Sequence, residues 1–451
     1  MSQTLKVFLS LALLVLAVGM APEAHAQESV CDFSGPPNTV VDVEGKSVTV
    51  ADGSRIVTVG GPVTEIVFAL GAGDKVVGVD SSSSYPPEVT ELPQVGYQRQ
   101  LAAEGVLAVQ PTLILATDEA GPPPAVQQLR DSGVQVVMLK SEPSLEGAIS
   151  KICGFAKALG LEARGEALAQ KVRTQIAEAE ALRANLTSKP RVMFIYARGA
   201  GALSVSGTNT SAHSMILLAG AENAVTDYEG YKPLTPEAAI AAAPDVLMLL
   251  SRGLESVGGI DGLLQLPGLA QTPAGQARRV VAMDDLYMLG FGPRLGSAVL
   301  DMTYLLHPEI PRPLPVVLRL DGRFETALTL IEEAGQLALL SGETPYTLFV
   351  PTDEAFKAVP KETLAGLRRS AISLQSVLSY HYVRGTLKAS DVLALNGKPL
   401  PTLLGAPIMV SVEDNTVRLN GTAKVIEADL MAANGVIHVI DSVLIPERPS
   451  R

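Results

Sequence analysis

The sequence predicts an α/β chain with two open parallel-sheet lobes bridged by a long helix, followed by a smaller α+β domain. Three observations support this fold: an internal repeat, a long amphipathic helical pattern, and a proline-rich segment at 307–315. The chain has 451 residues and 47% hydrophobic content, which is enough for two to three domains with sizeable cores.

The internal repeat joins segments 101–115 and 234–248. Each copy carries a glutamate, Glu104 or Glu237, ahead of a proline and an apolar strand, so the glutamate falls in the first turn of a short helix. One carboxylate therefore occupies the same place on each lobe, where a partner with two basic pockets would bind the pair. The alternative is that both carboxylates only stabilise helix dipoles, and Glu65 is the other candidate on the first lobe.

Strands and helices alternate along the first lobe. Apolar patterns predict a strand at 55–59, a helix at 63–70 and strands at 75–79, 112–116 and 134–139. From 163 to 186, Leu168, Val172, Ile176 and Leu182 recur near helical spacing and predict one helix of about 35 Å. The second lobe begins with a strand at 191–196 and ends before His307. Two lobes on one rigid helix leave a cleft between them.

The predicted division of the chain begins with a secretory signal peptide at 1–26. An early Lys6, a short apolar run and Ala24-His25-Ala26 place its cleavage near Ala26, and no lipid anchor is expected at Cys31. The expected location is the periplasm. The other parts are an N-terminal extension at 27–52, a first lobe at 53–143, a bridging helical segment at 144–189, a second lobe at 190–308, a proline-rich linker at 309–315 and a last domain at 316–447.

Charge and cysteine content narrow the function classes. A net charge of −12 argues against nucleic acid binding, which needs clustered Lys and Arg. Cys31 and Cys153 either close a disulfide in an oxidising compartment or stay unpaired, and their spacing matches no metal site. No catalytic motif is found, so the chain is not expected to be an enzyme.

Four blocks before residue 308 are similar to the substrate-binding proteins of ABC importers for haem, cobalamin and ferric siderophores, most strongly to the haem-binding members. They lie at 55–73, 92–99, 230–237 and 290–294. The resemblance implies two Rossmann-like lobes bridged by a helical backbone, and a periplasmic protein that delivers ferric haem, its transported ligand, to an ABC permease dimer with ATPase subunits. In that family the glutamates matching Glu104 and Glu237 meet arginines of the permease.

Three later blocks, at 347–356, 379–383 and 434–446, resemble a fasciclin domain. The resemblance implies a module for binding a protein or matrix partner. His381 falls in the middle block and is expected to be a buried, hydrogen-bonded imidazole rather than a functional residue.

The resemblance implies that Tyr97 is the haem iron ligand. A tyrosinate is a hard anion that suits Fe(III), and Arg99 would stabilise it by lowering the phenol pKa. The alternative is that Tyr97 packs at a loop edge with its hydroxyl in water. Arg198 and Arg252 follow strands of the second lobe and are candidates for the haem propionates, although each is also explained as a solvated surface arginine.

A second axial ligand stays open at this stage. Some relatives use a second-lobe histidine, whereas this sequence has Arg198 in the corresponding region. His213 opens a helix near the cleft and is a further haem-contact candidate that could swing in, although a polar residue in a first helical turn is the commoner explanation. The alternative functions are a cobalamin or ferric-siderophore binding protein, and an adhesion protein that uses the lobes as a scaffold.

Overall fold

The computed structural model describes residues 29–199, 201, 203–413 and 416–446, so the signal peptide predicted at 1–26 lies outside the described residues. Within the described part of the chain, no helix is long and apolar enough to cross a membrane. A short N-terminal hairpin, β1 and β2, precedes the first lobe. Its strands are β1 (Thr39–Val41) and β2 (Ser47–Thr49).

The first lobe is a four-stranded parallel sheet in the order β4-β3-β7-β8, with a small hairpin of β5 and β6 beside it. Its predicted strands and first helix are confirmed within two residues. The elements are β3 (Ile56–Val59), α1 (Gly61–Ala69), β4 (Val76–Val79), β5 (Gly96–Tyr97), β6 (Gln100–Leu101), α2 (Ala103–Leu107), β7 (Leu113–Thr117), α3 (Pro123–Asp131) and β8 (Gln135–Leu139).

Two helices, α4 (Leu145–Ala158) and α5 (Glu162–Arg183), follow the first lobe. The longer helix, α5, has 22 residues and therefore spans about 33 Å. Small residues bring the helices close: a Cβ on Gly165 would lie 2.3 Å from the Cβ of Ala156. Val172 and Ile176 are buried as predicted, while the rest of the buried stripe consists of small residues that the pattern did not single out.

The second lobe is a mixed sheet in the order β12-β10-β9-β13-β14, with β11 paired to β9. Strands β9, β13 and β14 are parallel, and β10 and β12 extend the sheet antiparallel. The elements are β9 (Arg191–Ala197), β10 (Leu203–Ser206), α6 (Ser211–Leu218), β11 (Glu222–Asn223), β12 (Tyr231–Pro233), α7 (Pro236–Ala242), β13 (Val246–Leu250), α8 (Ser251–Ser256), α9 (Gly259–Leu264), α10 (Pro273–Gln276), β14 (Val280–Met283), α11 (Asp285–Leu289) and α12 (Leu295–Leu306).

The C-terminal domain is a seven-stranded sheet, β16-β15-β21-β20-β19-β18-β17, in which only β15 and β21 pair in parallel among the described strands. Its elements are α13 (Leu314–Asp321), α14 (Glu325–Glu333), α15 (Leu337–Ser341), β15 (Tyr346–Pro351), α16 (Asp353–Lys357), α17 (Lys361–Arg368), α18 (Ala371–Tyr380), β16 (Tyr382–Arg384), α19 (Ala389–Leu393), β17 (Pro399–Pro401), β18 (Pro407–Glu413), β19 (Thr416–Leu419), β20 (Ala423–Ala432) and β21 (Gly435–Ile440).

The proline-rich segment at 309–315, predicted as a linker, is packed between the second lobe and α13. Ile310 is buried with Tyr304 of the second lobe and Val316 of α13. The carbonyl of Arg312 accepts a hydrogen bond from Ala433 N at 2.7 Å. Leu314 already begins a helix. The prolines predicted that helical and strand periodicity ends here. Ile310 is a single apolar residue between prolines, so no periodic pattern indicated its burial.

The two cysteines form a disulfide, which closes the alternative that the sequence left open. Cys31 of the N-terminal extension is bonded to Cys153 of α4, with their Cα atoms 5.5 Å apart. Next to it, the Glu166 carboxylate of α5 accepts hydrogen bonds from the backbone amides of Val30 and Cys31 at 2.7 and 3.0 Å. The extension is therefore fastened to the bridging helices.

Candidate functional site

A cleft of about 1050 Å³ lies between the two lobes. Its walls come from the carboxyl ends of parallel strands, where open α/β sheets bind ligands. Thr117 ends β7, Tyr196 lies near the end of β9, and Arg252 follows β13. The volume is at the upper end of the range for small-molecule sites, which suits a large ligand.

Tyr97 directly precedes two cleft-lining residues of the first lobe, but it is not itself among the side chains that line the cleft. It ends β5 and pairs with Gln100 of β6, and Gly96 before it has a positive φ of 107°, a conformation that glycine adopts readily. The two turn residues, Gln98 and Arg99, line the cleft. Tyr97 is 38% exposed, so its phenol is accessible at the edge of the site.

Arg99 is held in place by an acidic neighbour. Its Nη2 donates to the Glu119 carboxylate at 2.7 Å, and Ser141 Oγ donates to the other Glu119 oxygen at 3.3 Å. Partial burial lowers the pKa of Arg99, but Glu119 and the Tyr97 phenol offset this effect and the net shift is upward. The guanidinium therefore stays charged beside Tyr97.

The opposite wall carries a second tyrosine and arginine with the same spacing. The hydroxyl of Tyr196 accepts hydrogen bonds from Nε and Nη2 of Arg198 at 3.2 and 2.8 Å. These hydrogen bonds to Tyr196 are the largest cause of the raised pKa of Arg198, and Tyr97 contributes a smaller electrostatic share. Arg198 is thus within electrostatic reach of both tyrosines.

Tyr196 and its aromatic neighbour Tyr231 were missed by sequence reasoning. Their rings meet edge to face with centroids 6.1 Å apart, and both line the cleft. Residues two apart on a strand share a face, so the Tyr-x-Arg spacing of Tyr196 and Arg198 was the available signal. Glu119 was also missed, and only the fold shows its proximity to Arg99.

Arg252 and Asp285 bring charge to the second-lobe side of the cleft. Both line it, and Arg252 lies in the first turn of α8. Burial raises the pKa of Asp285 and the neighbouring Asp284 adds to this, while Arg252 opposes the shift. One Asp285 oxygen is buried without a hydrogen-bond partner. The wall therefore holds both a free cation and a partly desolvated carboxylate.

His213 is not among the side chains that the structure places along the cleft. It lies in the first turn of α6, where its amide donates to the Thr210 cap, and its Nδ1 is 3.3 Å from Nδ2 of Asn223. This hydrogen bond turns the imidazole toward the body of the lobe, so the commoner explanation of a helix-turn histidine fits its position.

Glu104 and Glu237 occupy equivalent exposed positions. Each lies in the first turn of a short helix, α2 or α7, immediately before a central parallel strand, β7 or β13. The repeat therefore places one free carboxylate on each lobe. Across the described residues there is no cluster of three or more His, Cys, Asp or Glu side chains suited to a metal ion.

Comparison with known proteins gives two separate matches. A family model described as periplasmic binding protein matches residues 56–287, and one described as fasciclin domain matches residues 322–446. The matched structure of the periplasmic heme-binding protein RhuT from Roseiflexus sp. RS-1, in apo form, is 50% identical, with a TM-score of 0.56, over 57% of this chain and 99% of that one.

Two further relatives cover different parts of the chain. A cobalamin-binding protein of Halobacterium salinarum is 27% identical over 259 residues, covering 53% of this chain and 68% of that protein. The transforming growth factor-beta-induced protein ig-h3 of Sus scrofa is 33% identical over 131 residues, covering 29% of this chain and only 19% of that protein. None of these relatives is named as an enzyme.

Proposed function

The chain belongs to the periplasmic binding protein family, and from this premise we propose that it captures ferric haem in the cleft between its lobes and delivers it to an ABC importer. One observation carries the proposal: on each lobe a tyrosine stands two residues before an arginine that lines the cleft, Tyr97 before Arg99 and Tyr196 before Arg198. Haem is the transported substrate, and the name of the RhuT relative supports this choice.

In this proposal, Tyr97 is the iron ligand. A phenolate oxygen suits Fe(III), and the charged Arg99 guanidinium stabilises the anion. Tyr196, paired in the same way with Arg198, is the candidate for a second ligand from the opposite lobe. Arg198 and Arg252 are also available for the propionates, and Tyr231 offers an aromatic surface for the porphyrin.

The rest of the chain completes the proposal. Residues 1–26 direct export to the periplasm, the lobes comprise 53–143 and 190–308 joined through 144–189, and 316–447 is a fasciclin module for a protein or matrix partner. Glu104 and Glu237 dock the lobes onto the two permease subunits, whose ATPase partners drive import.

Cobalamin is the second candidate ligand, because a cobalamin-binding protein is among the relatives. Titration of the purified mature protein with ferric haem, with and without excess cyanocobalamin, separates the two. We expect saturable haem binding that cobalamin does not displace. Binding of cobalamin alone would make Tyr97 a cleft-wall residue and overturn the proposal.

A further inference from the structure

We infer that Arg319, carried by the C-terminal domain, is a positioning residue for one wall of the cleft and acts through Asp301 and Tyr287. The inference rests on the proposed function, since it concerns the cleft that we propose binds haem. It assigns the fused domain a role inside the binding protein, in addition to any partner that its outer surface binds.

Arg319 moves with the C-terminal domain because its helix is built into that domain. Leu314 and Leu318 of α13 are fully buried in the core of the domain. The amide of Leu314 also donates to Oδ1 of Asn434 at 2.9 Å, just before β21. A helix anchored in this way transmits any shift of the domain to Arg319, which projects from its other side.

Arg319 reaches a buried carboxylate of the second lobe. Its Nε lies 2.6 and 2.8 Å from the two oxygens of Asp301, which is 1% exposed and lies on α12. The same carboxylate accepts the Tyr287 hydroxyl at 2.7 Å. Removing Arg319 would leave the buried Asp301 carboxylate with the Tyr287 hydroxyl as its partner. Breaking a buried ion pair in this way is strongly destabilising, because one charge stays buried without an opposite charge.

Tyr287 connects this ion pair to the cleft. It lies on α11, a helix of only five residues, whose Asp285, Leu286 and Leu289 line the site. A helix this short has little stability of its own, so tertiary contacts fix its position. The Tyr287 hydroxyl bond is one such contact, and it ties the cleft wall to Asp301.

The contact also lies beside the junction of the two lobes. The Arg294 guanidinium stacks over the rings of Tyr287 and Tyr85, with centroid distances of 4.8 and 3.7 Å, and pairs with Glu65 of the first lobe. Glu325 belongs to the C-terminal domain. Burial raises the pKa of its carboxyl group and nearby Asp353 raises it further, whereas the positive charge of Arg294 lowers it. The C-terminal domain therefore meets the lobes where their relative position is fixed.

The test uses the full-length mature protein and measures haem dissociation by transfer to excess apomyoglobin. We expect Arg319→Gln to release haem about fivefold faster or more, the lower range of coupling between distinct sites, and Arg319→Lys to restore most of the wild-type rate. Arg323→Gln is the matched control, because the ion pairs of Arg323 with described residues, Asp321 and Glu427, lie within the same domain.

A second variant and a second measurement separate positioning from general stability. Tyr287→Phe removes one oxygen, leaves the Asp301–Arg319 pair intact and should also speed release. Because coupling is reciprocal, haem should slow hydrogen exchange of amides in 314–321 of the wild type, and this protection should shrink in Tyr287→Phe. Wild-type release rates in both variants, with no haem effect on exchange, would overturn the positioning role alone. Failure of the wild type to bind haem would overturn the proposed function as well.

Discussion

The Tyr196 hydroxyl lies 2.8 Å from Nη2 of Arg198, within a Tyr-x-Arg pair that recurs as Tyr97 and Arg99 on the facing lobe. Strand alternation puts both members of the second-lobe pair on the cleft face. A phenolate oxygen is a hard donor that suits Fe(III), the iron of the proposed ligand. Each lobe therefore has a tyrosine close in sequence to an arginine that lines the cleft.

We predict that Tyr196→Phe weakens ferric haem binding about tenfold or more, the range for losing a hydrogen-bonded charged group. Equilibrium haem titration measures the effect. Tyr228→Phe is the control, because the Tyr228 hydroxyl donates to the Val205 carbonyl at 3.0 Å and does not line the cleft. Equal affinities for the two variants would show that Tyr196 makes no contact with haem.

Permease docking is tested by replacing Glu104 and Glu237 together with Ala. Both carboxylates are exposed on separate lobes, so we predict impaired haem import and a haem Kd within about twofold of wild type. The control replaces Glu354 and Glu362 with Ala. This makes the same change in charge, but on helices of the C-terminal domain. Normal import by the Glu104/Glu237 variant would mean that the repeat reflects fold symmetry alone.

The buried His381 predicts a pH dependence of C-terminal domain stability. Burial lowers its pKa to about 4, and its two ring nitrogens bond the Val377 carbonyl and the Leu444 amide. Between pH 6.5 and 4, His381 binds a proton in the unfolded chain but not in the folded domain. The free energy of unfolding therefore falls with falling pH, by about 3 kcal/mol in total.

Calorimetric unfolding from pH 7 to 4 checks this dependence. The His381→Gln variant should be less stable at pH 7, because a buried hydrogen bond is lost, and should show a shallower fall toward pH 4. An identical pH slope in wild type and variant would assign the acid sensitivity to other groups.

The disulfide predicts a stability effect confined to the lobes. Cys31 and Cys153 are 122 residues apart, and closing a loop of that length stabilises by about 4–5 kcal/mol in the chain-entropy account. Cys31→Ser with Cys153→Ser should therefore lower the unfolding temperature of the lobes while the fasciclin transition stays in place. Thermal unfolding without reductant measures the difference, and an unchanged unfolding temperature of the lobes would contradict it.

Sequence periodicity predicted the repeating strands and the bridging helix because their apolar faces recur every two or 3.6 residues. It did not predict the contact between Asp301 and Arg319, because the two residues lie on helices of different domains and their sequences contain no signal that links them. Likewise, Ile310 is a lone apolar residue among prolines, and its burial depends on Tyr304 and Val316 from flanking helices. Contacts between domains leave no local pattern.

The candidate site was predicted only in part, again because contacts between distant segments leave no local pattern. Strand ends pointed to Arg198 and Arg252, and both line the cleft. Glu119 and Tyr231 reach the same cleft from a loop and from the edge strand β12, which only the tertiary arrangement brings together. His213 lay close in sequence to cleft residues, yet its Nδ1 faces Asn223.

The central claim is that Tyr97 ligates ferric haem, and the absorption spectrum of the haem complex of Tyr97→Phe tests it most directly. The substitution removes one oxygen from a residue that is 38% exposed at the end of a two-residue strand, so the fold should be retained. We predict that the wild-type complex shows a tyrosinate charge-transfer band, and that in the variant this band is lost or strongly altered and affinity falls. An unchanged spectrum in the variant would contradict the assignment.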